Sequence, residues 1–341
     1  MNLIVVFGGS SFEHEISIVS AITLKDKIKK HNLNFVFVDR DRDFYLIEKE
    51  NMKSKYFSTF EYKKAKKLNL VKGGFSFKKL FGEEKISGVV LNLIHGRDGE
   101  DGKIAGMMQF FGIKCITPNV EASVISYNKL YTKMYAKEIG VNVLDYKYIT
   151  DDSYIPEKFP VIIKPVRLGS SIGVTIAKNL EEYKYGLDVA FEFDNGIIIE
   201  EFKEGINEYN LAGCKAGEFI FSKVEKVKKD DFLSYEDKYL DFSRKEAKTE
   251  DVLNELETKL KENFAKIYNN LFDGALIRCD FFEIDGEVYL NEINPIPGSM
   301  ANYLFENFDE VIEKLANSLK FEKRIDIDYS YINKIQMAKG K

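Results

Sequence analysis

Short continuous apolar runs, each closed by glycine or by charge, recur along the chain and read as buried parallel strands. Leu3 to Phe7 runs into Gly8-Gly9-Ser10-Ser11 and then a helical pattern from Ile16 to Ile28. Strand, glycine turn and helix is the opening of a doubly wound α/β unit, whose ligands sit at the strand ends. Asn34 to Val38 and Gly88 to Ile94 predict two more strands, while the lysine-rich stretch 49–85, punctuated by Gly73-Gly74, reads as a solvated face. Glu121 to Ile139 predicts one helix closed by Gly140. Further strands are predicted at 160–164, 174–177, 196–200 and 218–227, and Leu256, Leu260, Phe264, Ile267 and Leu271 mark a core-facing helix. The polar stretch 228–250 reads as a functional loop or lid, and a last helix falls near 309–319.

The most informative stretch is 275–294, where two apolar runs flank Asp285-Gly286 and predict a β-hairpin. Arg278, Asp280, Glu292 and Asn294 are set into those runs. Buried charges need pairing or a metal. A two-residue turn puts 280 and 292 on opposite faces, because side chains alternate along a strand. A three-residue loop, Ile284-Asp285-Gly286, puts the four polar residues on one face, with Ile277, Cys279, Phe281, Tyr289 and Ile293 on the other. Two carboxylates and a carboxamide then form an oxygen cage suited to Mg²⁺. The competing reading is a surface hairpin with cross-strand ion pairs.

Composition narrows the class. The chain has 341 residues, 45% apolar and 31% charged, which suggests a globular protein of two or three domains. Its formal charge of −5 gives no support for nucleic acid as partner. Cys115, Cys214 and Cys279 are too scattered for a disulfide framework or zinc site, and fit buried positions in a reducing compartment. No apolar run is long enough to span a membrane, and the opening residues read as a strand rather than a signal peptide. The expectation is a cytoplasmic protein.

Candidate chemistry collects at strand ends. Glu13 is either a first-turn carboxylate favoured by the helix dipole or a ligand contact. His95-Gly-Arg-Asp-Gly-Glu-Asp-Gly102 is either a strand-end ligand loop or a polar helix cap. Lys164-Pro165 followed by Arg167-Leu-Gly-Ser-Ser-Ile-Gly173 offers a point charge and backbone N–H groups to phosphate, although an ordinary hairpin turn is possible. It lies between strands and lacks the Walker signature. Glu200, Glu201 and Phe202 end a strand, with Glu208 in reach beyond. Pro295-Ile-Pro297-Gly298-Ser299 forces an abrupt turn after the hairpin.

In this order and spacing the motifs resemble the D-alanine–D-alanine ligases of the ATP-grasp superfamily, over nearly the whole chain. The carrying strings are Gly8-Gly-Ser-Ser-Phe-Glu13-His-Glu, the His95 loop, Lys164-Pro-Val-Arg-Leu-Gly-Ser-Ser-Ile-Gly, Lys238-Tyr239, Arg278-Cys-Asp280 and Asn291-Glu292-Ile-Asn294-Pro-Ile-Pro-Gly298. The resemblance implies an N-terminal α/β domain over 1–120, a central ATP-grasp lobe over 121–203 and a C-terminal lobe over 204–341. It implies ATP-driven condensation of two D-alanines for peptidoglycan synthesis, and a homodimer. Asp280, Glu292 and Asn294 would hold two Mg²⁺, or Mn²⁺, between phosphates. Lys129, Lys164, Ser170, Ser171 and Lys238 would attend the phosphates. Glu200, Glu201, Phe202 and Glu208 would bind the nucleotide, with Glu201 and the Phe202 backbone at adenine and Glu208 at the ribose. Glu13 would hold the first substrate's ammonium, linked to Ser170 and Tyr239, with His95 nearby. Arg278 and the Gly298 amide would form the oxyanion hole.

Two departures bear on the substrate. Tyr303, followed by Leu304, stands where many members have a serine for the second substrate's carboxylate. The spacing from Gly205 to Glu208 is one residue longer than in some members. Lys238-Tyr239 is the pair expected of dipeptide-forming members rather than ester-forming ones. Alternatives are a related ligase using D-lactate or another amino acid, and a non-catalytic nucleotide-binding protein. A nicotinamide-dependent oxidoreductase is disfavoured by the missing glycine fingerprint.

Overall fold

The computed structural model describes residues 1–227, 254–321, 323 and 325–339. The stretch 228–250, with Lys238 and Tyr239, lies outside the described residues. The first unit contains, in chain order, β1 (Asn2–Gly8), α1 (His14–Lys27), β2 (Asn32–Val38), β3 (Phe44–Ile47), α2 (Ser54–Ser58), β4 (Lys66–Val71), β5 (Gly74–Lys78), β6 (Glu83–Ile86), β7 (Val89–Asn92), α3 (Lys103–Phe110) and β8 (Cys115–Ile116). Its sheet runs β6-β5-β4-β3-β2-β1-β7-β8. β1 is parallel to β2 and β7, and β7 to β8, whereas β2 through β6 pair antiparallel. Leu3 to Phe7 are fully buried because both faces of β1 are covered, which explains the unbroken apolar run. The lysine-rich stretch is not one solvated face. It contains the β4–β6 meander, whose Leu68, Phe75 and Phe77 point into the core while its lysines remain outside.

The single helix expected over 121–139 is two, α4 (Val120–Tyr127) and α5 (Lys129–Glu138). Asn128 breaks them: its backbone is extended, and its side chain accepts from the amides of Leu130 and Tyr131. An asparagine satisfies orphan N–H groups at a helix start better than it serves a helix interior. Lys129 thereby becomes the first residue of α5, with its amide bonded to the Val166 carbonyl.

β9 (Tyr146–Ile149), β10 (Val161–Pro165), β11 (Thr175–Ala177) and β12 (Ile197–Glu201) form an antiparallel sheet in the order β11-β10-β12-β9, backed by α6 (Leu180–Phe193). A third sheet holds β13 (Asn207–Ala216), β14 (Glu218–Phe221), β15 (Glu225–Lys226), β16 (Ile277–Ile284) and β17 (Glu287–Asn294). Its order is β14-β13-β16-β17, with β15 on β13. α7 (Asn254–Tyr268) packs Leu260, Phe264 and Ile267 beneath it. α8 (Phe308–Ser318) returns to the first sheet, where Val311, Ile312 and Leu315 share a core with Leu3, Val5 and Leu24. α9 (Ile332–Lys339) buries none of its side chains.

The hairpin reaches the expected facing by another route. Its turn has two central residues, Asp285 and Gly286, both at positive φ (53° and 79°), and Ile284 pairs with Glu287. That is the hairpin turn whose twist matches the strands. The register then shifts: Phe281 pairs with Leu290, but Asp280 pairs with Glu292 and Arg278 with Asn294. Asn291 is the extra residue of a β-bulge. One bulged residue restores the parity that a two-residue turn removes, so all four polar side chains share a face. Tyr289 consequently pairs with Phe282 on that same face, while Val288 and Leu290 take the core positions.

Candidate active site

The third sheet presents its polar face to the residues after β10. Arg278 and Asp280 form a bidentate pair, Nε to Oδ1 at 2.6 Å and a terminal guanidinium nitrogen to Oδ2 at 2.7 Å. Asn294 Nδ2 donates to Asp280 Oδ2 at 3.0 Å, and Asp280 is 3% exposed. Across the cleft, Lys129 Nζ lies 3.8 Å from Glu292 Oε2 and donates to the Leu168 carbonyl at 2.5 Å. The lysine therefore links the start of α5, the loop after β10 and the hairpin. Asp280, Glu292 and Asn294 supply hard oxygen donors on one face, a set that fits a hard divalent cation.

Lys164, at the end of β10, reaches Glu200 Oε2 at 2.6 Å and Asn291 Oδ1 at 3.4 Å. The bulged residue thus also faces the cleft. Glu200 is shared with Lys133, one turn along α5 from Lys129. Burial alone raises the Glu200 carboxyl, but Lys164 and Lys133 outweigh it and hold the group at about 2. Lys133 was not among the candidates, although its spacing of four from Lys129 on a helix signals a shared face. Glu201 lies exposed at the strand end beside Lys203. The Phe202 amide is bonded to the Pro160 carbonyl at 3.0 Å, which fixes the chain as it leaves β12. Glu208 lies on β13 opposite Phe282, and its carbonyl accepts from the Val227 amide.

Ser170 and Ser171 occupy left-handed conformations, with φ of 56° and 58°. That bend carries the Ser170 hydroxyl to the Glu13 carboxylate, to which it donates. Glu13 stands at the N-cap of α1, 6% exposed, with its amide bonded to Ser11 Oγ. Two glycines make room for its carboxylate: a Cβ at Gly96 would lie 2.6 Å from Oε2, and one at Gly169 3.0 Å from Oε1. Burial, followed by the neighbouring Glu100, pushes the Glu13 carboxyl up to about 6, against the pull of Ser170, His95 and Lys129. Burial raises Glu100 further, to about 8. His95 is buried between Ser20, with Nε2 3.0 Å from its hydroxyl, and Glu100, and burial lowers its pKa. Ser20 Oγ also accepts the Ser299 amide, bringing the turn after Gly298 against α1.

The His95 loop holds a residue that the sequence reading passed over. Asp98, buried and at φ 78°, accepts from the Ser10 amide at 3.0 Å and from Arg42 through two bonds of 3.0 and 3.1 Å. Ser10, Ser11, Glu13, Gly96, Arg97, Tyr127, Arg167 and Phe193 are among the residues lining a cavity of about 580 Å³ beside these loops. Gly298 opens a turn in which Ser299, Met300 and Ala301 are all left-handed, with φ of 46°, 53° and 49°. Tyr303, 46% exposed, donates its hydroxyl to Glu225 Oε2 at 2.9 Å. The Leu304 side chain is 1% exposed and lies in the core beneath the first sheet, so only its backbone is placed to meet a substrate. Lys238 and Tyr239 lie outside the described residues.

A cleft that sets lysines on one lobe against a carboxylate hairpin on the other, behind an N-terminal α/β unit, defines an ATP-grasp type of protein. The family model described as D-ala D-ala ligase N-terminus matches residues 2–118, and that described as D-ala D-ala ligase C-terminus matches 135–311. The D-alanine--D-alanine ligase of Sulfurovum sp. is 54% identical over 345 residues, covering 100% of each chain. That of Campylobacter concisus is 55% identical over 343 residues, covering 100% of this chain and 99% of its own. The crystal structure of the Helicobacter pylori D-alanine-D-alanine ligase superposes with a TM-score of 0.85 at 47% identity, covering 95% of this chain and 100% of that one. The chain belongs to the D-alanine–D-alanine ligase family.

Proposed function

We propose that the chain is an ATP-dependent ligase that joins two D-alanine molecules into D-alanyl-D-alanine for peptidoglycan precursors, releasing ADP and phosphate. The observation that carries the reading is the shared face of Arg278, Asp280, Glu292 and Asn294, opposed by Lys129 and Lys164. A protein that merely held a nucleotide would have no use for an arginine at the oxyanion position.

A carboxylate resists attack by an amine until one oxygen becomes a leaving group. The first D-alanine presents its ammonium to Glu13 and its carboxylate toward the hairpin. One carboxylate oxygen attacks the γ-phosphorus, the bond to the β-γ bridging oxygen breaks, and ADP departs. Lys129 and Lys164 neutralise and align the phosphates, which such transfers need more than covalent help. Lys164 gives up Glu200 for phosphate, and Lys133 remains to match the Glu200 charge. Asp280, Glu292 and Asn294 would hold Mg²⁺ here, which supplies charge neutralisation at the transferring phosphoryl group. The second substrate's ammonium loses one proton to solvent and the resulting amine attacks the acyl carbon, its next proton leaving with the phosphate. Arg278 and the Gly298 amide receive the oxyanion, and phosphate leaves as the C–O bond breaks.

The reading also includes the domain boundaries at 120 and 203, a homodimer and a cytoplasmic location. Phosphate release measured separately with D-alanine, L-alanine and D-lactate tests it, together with mass detection of the product. Dipeptide from D-alanine is expected. Release with none of the three would leave a nucleotide-binding module instead.

A further inference from the structure

The loop from Arg167 to Gly173 is fastened at both ends to one short stretch, 193–195, at the close of α6. At its start the Arg167 amide donates to Asp194 Oδ2 at 2.9 Å. The Arg167 guanidinium holds Asp194 at 2.7 and 3.2 Å and Asn195 Oδ1 at 2.6 Å. At its end the Phe193 ring lies over Gly173, where a Cβ would stand 2.8 Å from the ring. Between these anchors the loop bends through Ser170 and Ser171, whose left-handed backbone is unfavourable and persists only where surrounding contacts impose it.

The loop meets the N-terminal unit through two residues adjacent in sequence. Ser170 donates to Glu13, and Phe12 meets Phe193 edge to face, with ring centroids 5.6 Å apart and planes at 79°. Phe12 is 65% exposed, so its ring belongs to no core. Phe12, Glu13, Leu168 and Phe193 all line the cavity of about 580 Å³. Atoms beside such a void have few packing partners, so the position of the loop rests on a small number of contacts, the ring pair among them. In the proposed reaction both ligands need that one position. The phosphates need the Ser170 and Ser171 amides facing Lys129 and Lys164, and the first D-alanine needs Glu13 held by Ser170. A contact that orders the loop beforehand relieves each ligand of ordering it.

We propose, on the ligase reading above, that Phe12 and Phe193 are positioning residues whose ring contact holds the 167–173 loop against the N-terminal unit, readying it for nucleotide and first substrate together. An aromatic pair of this geometry is worth a factor of roughly 2 to 10 in an equilibrium beyond the area it buries. Wild type, Phe12→Ala, Phe193→Ala and the double variant are titrated by calorimetry with the Mg²⁺ complex of a β,γ-imido ATP analogue, with and without saturating D-alanine. Without D-alanine, the Kd of Phe12→Ala is expected to rise about two- to tenfold, because apparent affinity falls with the population of the competent loop. Saturating D-alanine selects the same loop position and removes most of that difference. The double variant binds no more weakly than Phe193→Ala, as a single shared contact requires. Phe12→Tyr keeps the ring and binds like wild type. Phe12 is exposed, so its variants carry the test if Phe193→Ala does not fold. An unchanged Kd in Phe12→Ala overturns the proposal. So does a loss that D-alanine leaves intact, which marks damage to the site rather than a displaced loop. Wild type that forms no dipeptide from ATP and D-alanine overturns the ligase reading, while the titration without D-alanine still decides the role of the rings.

Discussion

Lys164 and Glu200 are joined at 2.6 Å, and Lys133 shares the same buried carboxylate. Two cations on one anion let one of them leave without stranding the charge. Glu200→Gln removes the anion and leaves both lysines facing each other. A loss of about 3–5 kcal/mol in unfolding free energy is expected, read by denaturant titration. The Glu200 pKa is depressed in the folded state, to about 2, so its stabilisation is present above its ordinary value of 4.5. It is lost as pH falls from there toward 2. The acid limb of the wild-type stability curve should therefore flatten in the variant.

In the proposed function Glu13 holds the first substrate's ammonium, which it can do only when ionised, and its carboxyl is raised from 4.5 to about 6. A raised carboxyl favours the protonated form in the fold, so binding improves as pH rises through about 6. The KM for the first D-alanine should climb below that pH while the KM for ATP stays level. In Glu13→Gln that pH-dependent rise should be absent, with a KM that is high throughout.

Arg278→Ala removes the donor that the proposed function gives to the oxyanion, and loss of such a donor typically costs roughly 10²–10³ in turnover. ATP affinity, measured by calorimetry, should change little by comparison. A proportionate loss of both would mean that the arginine acts chiefly by holding Asp280.

Asp98→Ala cuts the tie between Arg42 and the Ser10 amide, loosening the loop that delivers Glu13. A rise of about tenfold in the KM for the first D-alanine is expected from such misplacement. Unchanged ATP kinetics would separate this positioning effect from general instability. Arg42→Lys, which keeps the charge but loses the planar fork, should fall between.

The buried strands were legible because strands covered on both faces leave unbroken apolar runs, as from Leu3 to Phe7. The β4–β6 meander was not, because its buried Phe75 and Phe77 are diluted by outward lysines. The hairpin is a subtler case. A three-residue loop, and a two-residue turn with a bulge at Asn291, give the same facing of 280 and 292, so the pattern alone does not distinguish them. Tyr289 does, since the two routes put it on opposite faces. The break at Asn128 was concealed because an asparagine on a polar helical face and one at a cap read alike until the amides it serves are seen. At the site, motif order identified the residues with expected roles, but not those that act on them. Asp98 and Lys133 are polar residues whose importance comes from partners far away in sequence.

The position of α8 has a consequence for biosynthesis. Val311, Ile312 and Leu315 cover the same side of the first sheet as Leu3 and Val5, which leave the ribosome some three hundred residues earlier by sequence number. Beside the cover that α1 supplies early, through Ile18, Ala21 and Leu24, part of this flank thus waits nearly the whole of translation for its packing. Closure of that flank marks a chain whose hairpin and cleft have already been made.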